Sequence, residues 1–163
     1  MNNETVCAIV LDYRGAEKTE KCLLSLVDQG IRTAYVLDNS EDEISSAELH
    51  TAAERVRSTR PGFNIEILSA GKNLGFGRGV NFVLCYDRRS QSPHDYYLLL
   101  NNDAVAGPGL VASMIARFAN DPDVALVAPR IRSDDPGREF GIWYHRYFGL
   151  LLSRPGRGRF HYF

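Results

Sequence analysis

Residues 95 to 107 read Asp-Tyr-Tyr-Leu-Leu-Leu-Asn-Asn-Asp-Ala-Val-Ala-Gly, a near-continuous apolar run that stops on Asn101, Asn102 and Asp103. A short bulky run bounded by polar residues is the pattern of a strand buried on both faces of a parallel sheet. In an open parallel sheet, ligands bind outside the carboxyl ends of the strands. The stretch therefore predicts a sheet and also the end of it where chemistry is to be sought.

Upstream, strands and helices alternate. Val6 to Leu11 is apolar and β-branched, and it gives way to the polar turn Asp12-Tyr13-Arg14-Gly15. From Ala16 to Gln29 the residues Cys22, Leu23, Leu26 and Val27 recur at helical spacing, and Gly30 is placed to stop the helix. Thr33 to Leu37 predicts a second strand ending in Asp38-Asn39-Ser40. Ser45 with Glu48 has the spacing of a capping box, and Leu49, Ala52, Ala53 and Val56 line one face of a helix that must stop before Pro61. Asn64 to Ser69 is a third strand by alternation.

Ala70 to Gly79 is then too rich in glycine to begin a stable helix, and helical periodicity resumes at Val80 and runs to about Arg89. The opening strand follows. After it, Pro108 suits a first helical position, and Leu110, Val111, Met114, Ile115 and Phe118 form an apolar stripe. Val124 to Ala128 predicts a fifth strand. This alternation calls for parallel strands, right-handed crossovers and helices on both faces. From Arg130 onward the regular pattern fails, residues 133 to 137 read as a turn, and residues 140 to 152 are crowded with aromatics.

The composition excludes several classes of function. A chain of 163 residues with 44% hydrophobic and 24% charged residues fits one soluble domain with a substantial core. A formal net charge of -1 gives no global reason to expect nucleic acid, although residues 154 to 163 carry three arginines and no acid. Cys7, Cys22 and Cys85 lie far apart in apolar contexts, which suggests neither a disulfide framework nor a zinc site and fits a cytoplasmic setting. No signal peptide or membrane span is read, and peripheral contact with the inner face of a membrane stays open. The histidines at 50, 94, 145 and 161 have no ligand spacing.

Four strand ends bring polar groups to one place: Asp12; Asp38 and Asn39; the Lys72 to Gly79 loop; and Asn101, Asn102 and Asp103. Asp38 suits a ribose or a base, or alternatively ties down its own turn. Glycines 75, 77 and 79 admit a phosphate near the backbone, with Lys72 and Arg78 supplying charge. The loop is not G-x-G-x-x-G, since Val80 takes the place of the last glycine, so a dinucleotide fingerprint fits poorly. Asp103 suits a divalent metal bridging two phosphates, while a neutral Asn101 or Asn102 cannot neutralise a cation.

The ordered set Ala-Ile-Val-Leu-Asp-Tyr-Arg (8 to 14), Val-Leu-Asp-Asn-Ser (36 to 40), Lys-Asn-Leu-Gly-Phe-Gly-Arg-Gly-Val-Asn (72 to 81) and Leu-Leu-Asn-Asn-Asp (99 to 103) resembles the nucleotide-sugar-binding half of a family 2 glycosyltransferase of the GT-A fold, most similar to rhamnosyltransferase-like members. The resemblance implies a Rossmann-like, mostly parallel α/β sheet flanked by helices, with a nucleotide-sugar-binding domain over residues 1 to 132. Residues 133 to 163 would begin a missing acceptor half.

It also implies site roles. Leu11, Asp12 and Tyr13 would contact the nucleoside, Asp38 and Asn39 its base or ribose, and Lys72, Asn73, Gly75, Arg78 and Asn81 the base and diphosphate. Asn101, Asn102 and Asp103 match the D-x-D region, with only Asp103 acidic, so Mn²⁺ or Mg²⁺ would be bound through Asp103. The implied donor is UDP- or dTDP-linked, and the acceptor a glycan or lipid-linked sugar in polysaccharide or cell-surface glycan synthesis. The family's acidic catalytic base has no counterpart, since Asp134 and Asp135 come too early and in a turn. The alternative is a non-catalytic nucleotide-sugar-binding or interaction module that self-associates through residues 140 to 152.

Overall fold

The computed structural model describes residues 6 to 120 and 123 to 131, and the backbone of 141 to 145 and 150 to 154. Four parallel strands, β1 (Val6–Asp12), β2 (Thr33–Asp38), β3 (Asn64–Ser69) and β4 (Tyr96–Asn101), form one sheet in the order β3-β2-β1-β4. The chain steps outward from β1 to β3, then returns to place β4 on the other side of β1. The order thus reverses beside β1, and the crevice for a ligand opens at the carboxyl ends of β1 and β4.

Period-two alternation divides the core. Val6, Ala8 and Val10 with Ala34, Val36, Ile65 and Leu98 face a cluster shared with α1 (Ala16–Val27), α2 (Glu43–Thr59) and α4 (Leu110–Asn120). Cys7, Ile9, Tyr35, Leu37 and Leu68 face α3 (Gly75–Asp87) through Val83. Helices therefore cover both faces, as the alternation predicts. The α4 stripe also packs as expected, with Val111 buried and the Phe118 ring centroid 5.2 Å from that of Tyr96. No helix among the described residues is long and apolar enough to cross a membrane.

Several boundaries depart from the sequence reading. The α2 cap is Asp42, whose extended backbone lets its carboxylate accept from the Ser45 N–H at 2.8 Å, so Ser45 is a helical residue and not the cap. Pro108 precedes α4 and does not open it, because Gly109 at φ 72° breaks the helical path. Val124 to Ala128 forms no strand. An apolar run becomes a strand only where a partner edge takes its hydrogen bonds, and here Leu126 is 78% exposed. Within the expected irregular segment, β5 (Gly141–His145) and β6 (Leu150–Arg154) pair antiparallel, with Trp143 in register with Leu152. The aspartates at 134 and 135 lie outside the described residues.

Helix α3 begins at Gly75, five residues before the apolar periodicity shows it. Close packing explains the glycine that follows: a Cβ on Gly79 would lie 2.8 Å from Leu11 Cδ2 and 2.8 Å from Leu37 Cδ2. The helix can reach the sheet at the mouth of the crevice only because that position carries no side chain. Gly79→Val is expected to cost about 1–3 kcal/mol by overpacking. Urea unfolding measures it, and an unchanged midpoint would show that both leucines can move aside.

Candidate functional site

At the end of β1, Asp12 is fully buried. The Thr19 hydroxyl donates to its Oδ1 at 2.5 Å, the Asn102 amide to the same oxygen at 3.2 Å, and the Gly15 N–H to Oδ2 at 3.3 Å. Asn102 also donates to Thr19 Oγ1 at 3.2 Å. The sequence reading turns Asp12 and Asn102 toward a ligand. The structure turns both side chains inward onto each other, because a buried carboxylate must collect donors. Thr19 was missed; its one signal is its place, three residues before Cys22 on the buried face of α1.

At the end of β2, Asp38 and Asn39 are 3% and 5% exposed. Asp38 Oδ1 accepts from the Ser40 N–H at 2.8 Å, the turn-forming bond weighed as its alternative role. The Asn39 N–H donates to the Asp12 carbonyl at 2.9 Å, and its Oδ1 accepts from the Leu74 N–H at 3.2 Å. Asn39 thus joins β1, β2 and the glycine loop. The loop is fixed further by Glu41, which accepts from the Asn73 N–H at 3.3 Å, and by Asn73 Oδ1, which caps the Gly75 N–H at 2.7 Å.

These bonds form a floor, and a different set of groups stands above it. Tyr13 is 51% exposed, and the Arg14 guanidinium lies 5.3 Å from its ring centroid. Arg14 takes a left-handed backbone at φ 52°, held by its N–H to Ser40 Oγ at 3.1 Å and its Nε to Asp42 Oδ2 at 3.1 Å. Sequence reading had no signal for that conformation, which is uncommon outside glycine. Lys72, Asn73, Gly75, Arg78, Asn101 and Asp103 are exposed, with the Arg78 Nε donating to the Leu74 carbonyl at 3.1 Å. Leu11, half-buried, lies between Leu37 and Asn101, its partners in register on either side.

Asn81 stands apart. It lies roughly 200° around α3 from the buried Gly79 and lines a groove of about 750 Å³ with Tyr35, Glu66, Phe82 and Tyr86. That groove runs along the flank of α3, away from the strand ends.

Among the described residues, no three His, Cys, Asp or Glu side chains gather as a metal site. Asp103 offers one exposed carboxylate. This fits a hard cation that draws its remaining oxygens from a diphosphate and water, and it does not fit an all-protein cage. Burial, reinforced by the negative charge of Asp103, pushes the Cys22 thiol up to about 12, so Cys22 is a neutral donor and not a soft ligand.

The sheet order, the helices on both faces and the polar strand ends at the β1 and β4 switch point define an α/β fold of the GT-A type. The chain belongs to glycosyl transferase family 2, whose profile matches residues 7 to 161. It is similar in structure to a mannosyltransferase from Pyrobaculum calidifontis solved with GDP-Man and Mn²⁺, with a TM-score of 0.61 and 20% sequence identity. The alignment covers 74% of this chain and 33% of the mannosyltransferase, so this chain spans about a third of that protein's length. The comparison with curated proteins found no match.

Proposed function

We propose that residues 1 to 132 form the donor-binding domain of a glycosyltransferase that moves a sugar from a nucleoside diphosphate to a glycan or lipid-linked acceptor, in a rhamnosyltransferase-like role. The observation that carries this is the separation of the strand ends into a buried, fully bonded floor and an exposed set of complementary chemistry. Tyr13 offers an aromatic face for a base. Lys72 and Arg78 offer positive charge beside the α3 N-terminus, where an anion is favoured. Asp103 is exposed just past the end of β4.

In this reading, Lys72 and Arg78 stabilise the charge that develops on the departing diphosphate, and the Asn39 and Asn73 bonds hold the backbone of the loop between them, at Leu74 and Gly75. A divalent ion held by Asp103 would add electrostatic stabilisation of the same charge. No described residue takes the role of a base toward the acceptor, a contribution of about 10²- to 10⁴-fold that must come from outside this site.

Calorimetry with UDP, dTDP, GDP, AMP and NADH, each with and without Mn²⁺, tests the assignment. GDP enters the panel because the similar mannosyltransferase was solved with GDP-Man. The expected result is binding of nucleoside diphosphates that Mn²⁺ strengthens. Equal affinity for AMP and NADH would remove the donor-site reading, and tight binding with no transfer to any acceptor would favour the non-catalytic module.

A further inference from the structure

Four side chains along one face of α1 and the turn that follows it reach across to the chain leaving β4. Thr19 Oγ1 accepts from the Asn102 amide at 3.2 Å, and the Cys22 thiol donates to the Asn101 carbonyl at 3.6 Å. Ser25 Oγ accepts from the Ala106 N–H at 3.0 Å, and Gln29 Oε1 from the Val111 N–H at 3.4 Å. Positions 19, 22, 25 and 29 follow the three- and four-residue spacing of one helical stripe. The segment they grip, residues 101 to 111, is the one that carries Asp103.

The upper end of this stripe is the most tightly built. Asp12, Thr19 and Asn102 form a closed triangle of hydrogen bonds in which Asp12 is fully buried. A Cβ on Gly15 would lie 2.5 Å from Asn102 Nδ2, so the approach of the helix start to this amide requires a glycine. The triangle also accounts for asparagine at position 102. An aspartate there would set a second carboxylate about where Nδ2 now lies, 3.2 Å from Asp12 Oδ1, and two carboxylates sharing one buried site cannot both ionise.

We propose that Asp12, Thr19 and Asn102, with Ser25 and Gln29, are positioning residues: α1 is a splint that fixes the 101–111 segment and so holds the Asp103 carboxylate at the phosphate end of the site. The inference rests on the donor-site reading for its functional consequence, and on the hydrogen bonds alone for its structural part. It assigns the first two polar positions of the Asn-Asn-Asp run to the scaffold, through the Asn101 carbonyl and the Asn102 amide. The exposed side chains of the run are those of Asn101 and Asp103.

The test is titration of the whole chain with UDP and with GDP, in the presence and absence of Mn²⁺, for Asn102→Asp, the swap Asp12→Asn/Asn102→Asp, and Ser25→Ala. Partners that orient a metal ligand are worth about 10–100-fold in metal affinity, so Asn102→Asp is expected to lose at least about tenfold of the Mn²⁺-dependent gain while metal-free affinity stays within about twofold. The swap restores one carboxylate and one amide to the pair and should recover most of the gain. Ser25→Ala should speed hydrogen exchange at the Ala106 amide and weaken the Mn²⁺-dependent gain by a smaller factor. Should Asn102→Asp not fold, Ser25→Ala carries the same test with a single hydroxyl removed.

An unchanged Mn²⁺-dependent gain in Asn102→Asp and Ser25→Ala overturns the proposal, as does an equal loss of metal-free and metal-dependent binding that the swap fails to rescue. If the unaltered chain binds none of UDP, dTDP and GDP, the donor-site reading fails instead. The exchange rate at Ala106 then still decides whether the splint exists.

Discussion

Replacing Asp87 with leucine is expected to destabilise the fold by about 3–5 kcal/mol, the cost of removing one member of a buried, charged network and orphaning its partners. Asp87 is fully buried at the end of α3. It accepts from the Tyr97 hydroxyl at 2.5 Å, the His94 N–H at 2.9 Å and the Tyr35 hydroxyl at 2.9 Å, and His94 Nδ1 lies 2.8 Å away. One carboxylate thereby joins β2, α3, β4 and the turn between the last two, at the end of the sheet away from the candidate site. Leucine leaves two hydroxyls and a backbone N–H without their acceptor, the Tyr35 hydroxyl in a buried residue and the Tyr97 and His94 groups half-buried.

Acid should act on the same network. Burial pushes the Asp87 carboxyl up, but the bonds from Tyr97, His94 and Tyr35 together reverse this and hold it at about 2. A carboxyl held below its ordinary value of 3.8 stabilises the fold above that pH. The contribution, roughly 2 kcal/mol, is lost as the pH falls from about 4 toward 2. Urea unfolding of the unaltered protein near neutrality and near pH 3, beside Asp87→Leu, separates the effects. The variant should start lower and lose less on acidification. Parallel acid losses in the two proteins would place the sensitivity elsewhere.

The Asp87 network shows what the sequence cannot display. Tyr35, Asp87, His94 and Tyr97 come from two strands, a helix end and a turn, with no spacing that marks them as a group. His94 read alone is a turn residue of no interest. The four parallel strands and four flanking helices were legible because apolar runs and helical stripes record which face of each element is buried. The Val124 to Ala128 strand was misread because such a run does not record whether a neighbouring strand exists. Helix α3 was read as starting late because glycines carry no apolar periodicity, although Gly79 is where the packing is closest.

The candidate site divides in the same way. Sequence places the candidate segments at the ends of β1, β2 and β4 and in the glycine loop, since strand ends are legible. It does not tell which way a polar side chain turns there. Asp12 and Asp103 look equivalent as acids after apolar runs, yet one is fully buried with its oxygens occupied and the other is exposed. The difference comes from Thr19 and Gly15, two residues whose spacing from Asn102 has no meaning until β4 is placed beside β1.

That contrast sets the remaining expectation: Asp103→Ala should abolish the Mn²⁺-dependent part of nucleoside diphosphate binding and leave the fold intact. Partners that only orient a ligand are worth about 10–100-fold in metal affinity, so loss of the ligand itself should cost at least about a hundredfold. Among the described residues, nothing nearby compensates. Asn101 and Asn102 carry no charge, the Asn102 amide is committed to Asp12 and Thr19, and Cys22 is buried as a neutral thiol. Because the Asp103 side chain is exposed and outside the packed core, unfolding stability should change by no more than about 0.5 kcal/mol. Asp103→Asn separates charge from shape, since an amide of the same size keeps an oxygen ligand but cannot neutralise the ion, and it should bind nearly as weakly as alanine. Lys72 and Arg78 remain in both variants, so metal-free nucleotide binding should persist within about twofold. If Asp103→Ala retains its full response to Mn²⁺, the carboxylate at the end of β4 is not the group that meets the metal, and the separation of a buried floor from an exposed reactive edge loses its functional meaning.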